Sequence, residues 1–289
     1  MSVGFLVVNL CAADQEHTKD NTQYQKIKIS NSLSMLSNKG GNVLISEGED
    51  GILLIDNGYS ELAEDLKIIL AGYQSVKPLQ YIINTHWHFD HTGGNETLGK
   101  GANIIAHDRV RQRLQAKRAI PLFNYEAKAL PKYALPTLTY SQTMKVHFNE
   151  DELQLVHFAN SHTDGDTVVF FKEANVVHMG DIMFNADFPF IDIHNGGNVF
   201  NYVKSVKRIY QRIDDETVVI PGHGAMTNKA GVQVFLTMLE ATLMEVEIMK
   251  AKGMDLIEIK EQGLDKKWQA WGKGFIDEEN WISFIYQGL

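Results

Sequence analysis

The run His86-Trp87-His88-Phe89-Asp90-His91 constrains this chain more than any other feature. Three imidazoles and a carboxylate packed so closely need a common partner, and clustered His and Asp side chains suit a metal ion. The run follows directly on Leu79–Ile83, an apolar stretch that reads as a buried strand. In an extended chain side chains alternate in direction, so His86 and His88 reach the same side and one ion. Asp90 and His91 fall in the following turn, where the backbone can aim them at a second ion. A helical zinc motif places its two histidines four residues apart, so this is a strand-end loop of a different kind. The fold must therefore carry a strand end to a rigid edge where other ligands converge.

Three further positions meet that requirement. His162 lies in Ser161-His162-Thr163-Asp164-Gly165-Asp166-Thr167, between two strand candidates. Asp181 follows the strand candidate 175–179 through Met179-Gly180, and His223 follows 217–220 in Pro221-Gly222-His223-Gly224. A glycine near each permits tight backbone approach. The candidate ligands are then His86, His88, Asp90, His91, His162, Asp181 and His223. Three neutral imidazoles suit one zinc, and two imidazoles with a carboxylate suit another; the two oxygens of Asp181 can reach both. Asp90 and Asp181 are the candidate catalytic groups. Asp164 and Asp166 can contact substrate or ligands, or only shape their turn around Gly165.

Around these loops the periodicity alternates. Asn42–Ile45 and Gly51–Asp56 read as a hairpin, Ser60 as the cap of a following helix, 102–106 as a strand and 108–118 as a helix. Pro121, Pro131 and Pro136 make 119–140 a long ordered loop that can cover the site with Phe123, Tyr125, Tyr133 and Tyr140. Strand candidates recur at 153–158, 166–171, 175–179 and 217–220. Asn198 caps a helix to about residue 212, and 228–262 is mostly helical. Trp268, Trp271, Phe275, Trp281, Phe284 and Tyr286 read as core packing. Phe184, Phe188, Pro189, Phe190 and Ile191 would form an apolar rim near the metals. Strands in hairpins as well as alternating with helices imply an α/β fold of two mixed β-sheets with helices outside.

Composition excludes several other classes. Of 289 residues, 44% are apolar and 22% charged, which is ordinary for a globular chain and unlike a disordered or collagenous one. The single Cys11 rules out an internal disulfide and a cysteine-rich metal site. A formal charge of −9 offers no general attraction for nucleic acid, so a small-molecule substrate is expected and no nucleic-acid partner. No stretch is long enough to span a bilayer. The short apolar run Phe5–Leu10 before Ala13 resembles a weak export signal without its positive flank, which would place the protein in the periplasm or outside the cell; a strand or loose tail is the alternative. Residues 1–24 then form a signal remnant and polar lead-in, and 25–289 a single domain. There is no GxSxG, P-loop or GxGxxG segment.

Together the HxHxDH run and the separate His162, Asp181 and His223 closely resemble the metallo-β-lactamase fold superfamily, over roughly residues 40–225. The resemblance implies an αββα sandwich with a dinuclear site at one edge of the sheets. It further implies that His86, His88 and His162 bind one metal, Asp90, His91 and His223 the other, and that Asp181 bridges them. The metals would be two zinc ions, with iron or manganese also compatible, holding a hydroxide that attacks a carbonyl or phosphoryl centre. Leu54-Ile55-Asp56-Asn57-Gly58 looks like the family's early Asp-Gly segment, with Asp56 either orienting ligands or a solvated turn residue. Lactamases with a Cys ligand have no match here, and another lactamase group generally carries Ser where this chain has Asp181. That aspartate resembles hydroxyacylglutathione hydrolases, lactonases and phosphodiesterases instead. Opening of a lactam or lactone ring is the expected reaction, with thioester or phosphodiester hydrolysis as the alternative. A metal-binding scaffold without turnover is the alternative of another class.

Overall fold

The computed structural model describes residues 24–38, 40–73 and 77–289. Fourteen strands occur among them: β1 Gln25–Lys28, β2 Leu33–Ser37, β3 Val43–Gly48, β4 Gly51–Ile55, β5 Leu79–Ile83, β6 Asn103–His107, β7 Arg118–Ile120, β8 Tyr125–Ala127, β9 Leu138–Tyr140, β10 Thr143–Phe148, β11 Asp151–His157, β12 Thr167–Phe171, β13 Val176–Phe184 and β14 Val218–His223. The α-helices are α1 Ala63–Ala71, α2 Phe89–Thr92, α3 Asn95–Leu98, α4 Asp108–Leu114, α5 Val199–Tyr210, α6 Lys229–Ala251, α7 Leu256–Gln262 and α8 Glu278–Gly288.

Two mixed sheets result. The first has the order β1-β2-β3-β4-β5-β6-β9, antiparallel as far as β4 and parallel beyond it. The second has the order β10-β11-β12-β13-β14, antiparallel except for the parallel β13/β14 pair. Period-two alternation explains why both faces of the first sheet are apolar. Leu53 and Ile55 of β4 turn inward, with Leu44 and Ile83, against Phe148, Leu155, Val169 and Ile220 of the second sheet. Ile52 and Leu54 turn outward onto Leu62, Leu66 and Leu70 at α1. The outer face of the second sheet, with Val168, Phe170 and Val177, is covered by Val206, Phe235, Leu239 and Trp281 from the helices α5, α6 and α8. The layers run helix, sheet, sheet, helix, so the expected αββα sandwich is the observed fold. Among the described residues no helix is long and apolar enough to cross a membrane.

Several local expectations need correction. Ser60 does not cap a helix: a 3₁₀ turn spans Ser60–Leu62 first, and the Ser60 hydroxyl is spent on Glu61. The helix at 108 stops at Leu114, because the chain turns back into the hairpin β7/β8. Most of that hairpin, which begins at Arg118, and the short strand β9 lie inside 119–140, which is thus more ordered than a loop. The strand β10 was not anticipated, since Thr143, Lys145 and His147 alternate outward and thin its apolar signal. Asp181 and His223 sit within β13 and β14, which continue past the expected strand ends. The export segment and polar lead-in, Tyr24 apart, lie outside the described residues.

Candidate metal centre

The seven candidate ligands, distant in sequence, converge at one edge of the two sheets. β5 ends at Ile83, and the chain crosses the seam between the layers, where Thr167 N donates to Thr85 O at 2.8 Å. His86 projects from the bend at residues 85–87, and His88 from the position just before α2. Asp90 and His91 then lie in the single helical turn of α2. Asp181 is aimed by an irregularity in β13: Gly180 has a φ of +53°, and a Cβ there would stand 2.9 Å from Thr85 Cβ. Gly222 is equally required, because a Cβ on it would collide with Asp181 Oδ1.

Donor atoms of His86, His88, His162 and Asp181 lie within 4.8 Å of one another, as do those of Asp90, His91 and His223. Asp181 faces both groups. Its Oδ1 is 3.0 Å from His91 Nε2, and its Oδ2 is 3.4 Å from both His162 Nε2 and His223 Nε2 and 3.7 Å from His86 Nε2. Asp90 Oδ2 lies 3.2 Å from His223 Nε2. The first group is sealed, whereas the side chains of Asp90 and His223 are 13% and 12% exposed, so the centre opens to solvent on that side.

The outer nitrogens of four histidines set what the inner ones offer. His162 Nδ1 faces the Phe190 carbonyl at 2.7 Å, and His88 Nε2 faces Asp192 Oδ2 at 2.9 Å. Both partners only accept, so both outer nitrogens carry the proton. The inner atoms, His162 Nε2 and His88 Nδ1, are therefore bare lone pairs facing each other at 2.9 Å. His86 Nδ1 lies 3.0 Å from Thr85 Oγ1, whose own proton goes to Asp56 Oδ2 at 2.7 Å. His86 Nε2 consequently also offers a lone pair, and it is buried without a hydrogen-bond partner. Converging lone pairs beside a carboxylate repel unless a cation lies among them, so the donor set fits a metal ion.

In this first group burial holds the His162 imidazole down to about 4 and lowers His86 well below its usual range. The second group differs. Burial opposes charge on His223, but Asp181 and Asp90 outweigh it and raise that imidazole to about 9; His91 is raised by Asp181, Asp90 and Asp56 in the same way. Burial likewise opposes ionisation of Asp181, and the imidazoles of His91 and His223 overcome it. A cation entering here must displace protons. At pH 7 metal uptake is expected to release about two protons per chain, from His91 and His223. Apparent affinity should rise with pH through about 9, where His223 gives up its proton. Calorimetric titration in buffers of different ionisation enthalpy measures this; uptake without proton release would contradict it.

A buried polar layer supports the ligands. Asp56, with a φ of +59°, is fully buried and accepts from Thr85 N, Thr85 Oγ1 and His91 Nδ1 at 2.7–2.8 Å. Of its two readings, the solvated turn residue is excluded. Asn57, Asn84 and Asn95 form a buried amide network under the ligand loop, Asn57 accepting from Gly94 N at 2.8 Å. Asp166 accepts from Thr163 N and Oγ1, and Asp164 pairs with Arg113 at 2.8 Å, so both shape the His162 turn. Asp192 escaped sequence reasoning, having no motif around it. It holds His88 and also accepts from Asn195 Nδ2 at 2.8 Å. Asp192→Asn is expected to weaken metal binding about 10- to 100-fold, measured by competition with a chelating dye.

The rim is aromatic, though not wholly as expected. Phe190 stacks on His88 and Phe184 on His223, with ring centroids 5.6 and 5.0 Å apart. Phe188 instead packs on Trp281 in the core. Tyr140 is buried away from the site against Thr167, and Tyr133 points outward. Phe275 departs from the core reading of the C-terminal aromatics: it is 49% exposed and lies 5.5 Å from the His223 ring.

The chain is similar to several known proteins. The chain is 26% identical over 183 residues to the 2,4-dinitroanisole O-demethylase subunit alpha of Nocardioides sp., covering 62% of this chain and 51% of that protein. It is 28% identical over 152 residues to a hydroxyacylglutathione hydrolase of Polaromonas sp., covering 51% and 49%. The chain thus spans about half the length of these relatives. In structure it resembles the stereoselective inverting sec-alkylsulfatase of Pseudomonas sp., with a TM-score of 0.66 at 17% identity over 91% of this chain and 49% of that one. The family model described as the metallo-beta-lactamase superfamily matches residues 38–223, and with both candidate ligand clusters inside that span the chain belongs to this superfamily of dinuclear metal hydrolases.

Proposed function

We propose that the protein is a zinc-dependent hydrolase that opens lactone or lactam rings, with lactones favoured. The observation that carries the reading is the position of Asp181, one carboxylate whose two oxygens face both ligand groups. His86, His88 and His162 would hold one zinc, Asp90, His91 and His223 the other, with Asp181 between them. Such a pair supplies a water acidified to hydroxide near neutral pH and a Lewis acid for the scissile carbonyl.

The protein's own contribution is order and charge. Asp56, Thr85, Asp192 and the Phe190 carbonyl fix the imidazoles of His91, His86, His88 and His162 in one tautomer, so these four are already oriented before substrate arrives. Asp181 and Asp90 bring negative charge that balances the cations. Asp90, on the open side, is a ligand first and a proton relay second, since a neighbouring cation makes a carboxylate a poor base. Phe184 and Phe190 exclude water from the ligand nitrogens. Asp181 favours a lactone over a lactam, because resemblance within the superfamily joins an aspartate at this position to hydroxyacylglutathione hydrolases, lactonases and phosphodiesterases rather than to lactamases. Thioester hydrolysis is the second reading, supported by the hydroxyacylglutathione hydrolase relative.

The test is hydrolysis by protein loaded with two zinc equivalents. The substrates are an acyl-homoserine lactone, a cephalosporin, an acyl-glutathione thioester and bis-nitrophenyl phosphate. Fastest turnover of the lactone is the expected result. Fastest turnover of the thioester would select the second reading, and absence of turnover on all four would overturn both.

A further inference from the structure

Two segments outside the ligand loops bring aromatic rings to the open side of the centre. Phe275 follows the 3₁₀ segment Lys266–Lys273, which is tied to the loop after β13 by Phe188 N donating to Trp271 O at 2.8 Å. Gly274 abuts the Asp187 carboxylate, so the segment is docked there. The Phe275 ring lies 5.5 Å from His223, 5.6 Å from Phe184 and 6.0 Å from Phe123. Phe123, at the tip of the hairpin β7/β8, also lies 4.9 Å from Phe190, whose ring covers His88. A continuous aromatic belt therefore runs from one ligand group to the other. Its inner members Phe184 and Phe190 are buried, while Phe275 stays half-exposed beside the more accessible ligand His223.

We propose that Phe123 and Phe275 are specificity-determining residues that select substrates with an uncharged, planar apolar group beside the scissile bond. The proposal rests on the hydrolase reading and deepens it. Two observations give the chemistry. An exposed phenyl ring beside the mouth gains by covering apolar surface, and aromatic partners add edge or offset contacts. Asp187 lies next to Gly274 on the same side, so an anionic group placed there would meet a carboxylate.

Binding of two thiols that differ by a phenyl ring tests this without relying on turnover. Thiolates seek zinc, so ethanethiol and phenylmethanethiol both anchor at the metals and only the second reaches the belt. The zinc-loaded protein is titrated calorimetrically with each. Phenylmethanethiol should bind about tenfold tighter or more. That preference should fall below about threefold in Phe275→Ala and in the Phe123→Ala/Phe275→Ala pair, and be largely kept in Phe275→Leu. Ile257→Ala, at an exposed position on α7, serves as the control and should leave the preference unchanged. Zinc content is measured in every variant to show that the centre is intact. No preference in the wild-type protein, or one that survives both alanine variants, would overturn the belt as a selector. Failure of both thiols to bind the zinc-loaded protein would overturn the hydrolase reading, and the selector with it.

Discussion

Asp181→Ala is expected to lower hydrolysis by about a thousandfold or more and to reduce bound zinc from two ions per chain to one or none. Asp181 reaches both ligand groups, with oxygens 3.0 Å from His91 Nε2 and 3.4 Å from both His162 Nε2 and His223 Nε2. Removing it takes away a shared ligand and the negative charge around which five imidazoles gather. Asp181→Asn keeps the shape and loses the charge, so its rate should fall between alanine and wild type. Steady-state kinetics with metal analysis on the same samples separates lost occupancy from lost rate. An alanine variant with two zinc ions and a near-native rate would contradict this role.

Asp56→Ala should damage both stability and metal affinity, although the residue touches no candidate metal position. Its carboxylate accepts from Thr85 N, Thr85 Oγ1 and His91 Nδ1, all buried. Alanine leaves three donors without an acceptor and keeps the left-handed backbone that Asp56 adopts. A loss of about 3 kcal/mol or more in unfolding free energy is expected, because each stranded buried donor costs about 1–3 kcal/mol. Zinc affinity should fall about 10- to 100-fold, as His91 loses the partner that orients its ring. Asp56→Asn retains an acceptor for Thr85 and turns a donor toward one of its other partners, so it should recover part of the stability. Denaturation of the metal-free and zinc-loaded protein measures both effects. Equal stability of wild type and Asp56→Ala would contradict the account.

The candidate ligand positions were legible because each is written locally. His86 to His91 form one run after an apolar strand, and His162, Asp181 and His223 each have a glycine nearby and lie near a strand end. The two mixed sheets were legible for the same reason, since hairpins and strand–helix alternations leave short-range periodicity. What supports the ligands was less so. Asp192 meets His88 across 104 residues, and nothing near Asp192 in sequence distinguishes it from a surface aspartate. Asn57, Asn84 and Asn95 form a network only once the strand ends are brought together. Phe275 looked like its neighbours Trp271 and Trp281, because an aromatic residue carries the same local signal whether it fills the core or lines a mouth. Such roles depend on where the chain returns after a long excursion, and no local pattern encodes that return.

The central claim is that two metal ions act together in one hydrolytic centre. Its most direct test follows the hydrolysis rate as zinc is added to the metal-free protein, using the substrate turned over fastest. The account predicts a rate that climbs until two equivalents per chain are bound and then levels off. Saturation at one equivalent, or no turnover with two ions bound, would contradict it.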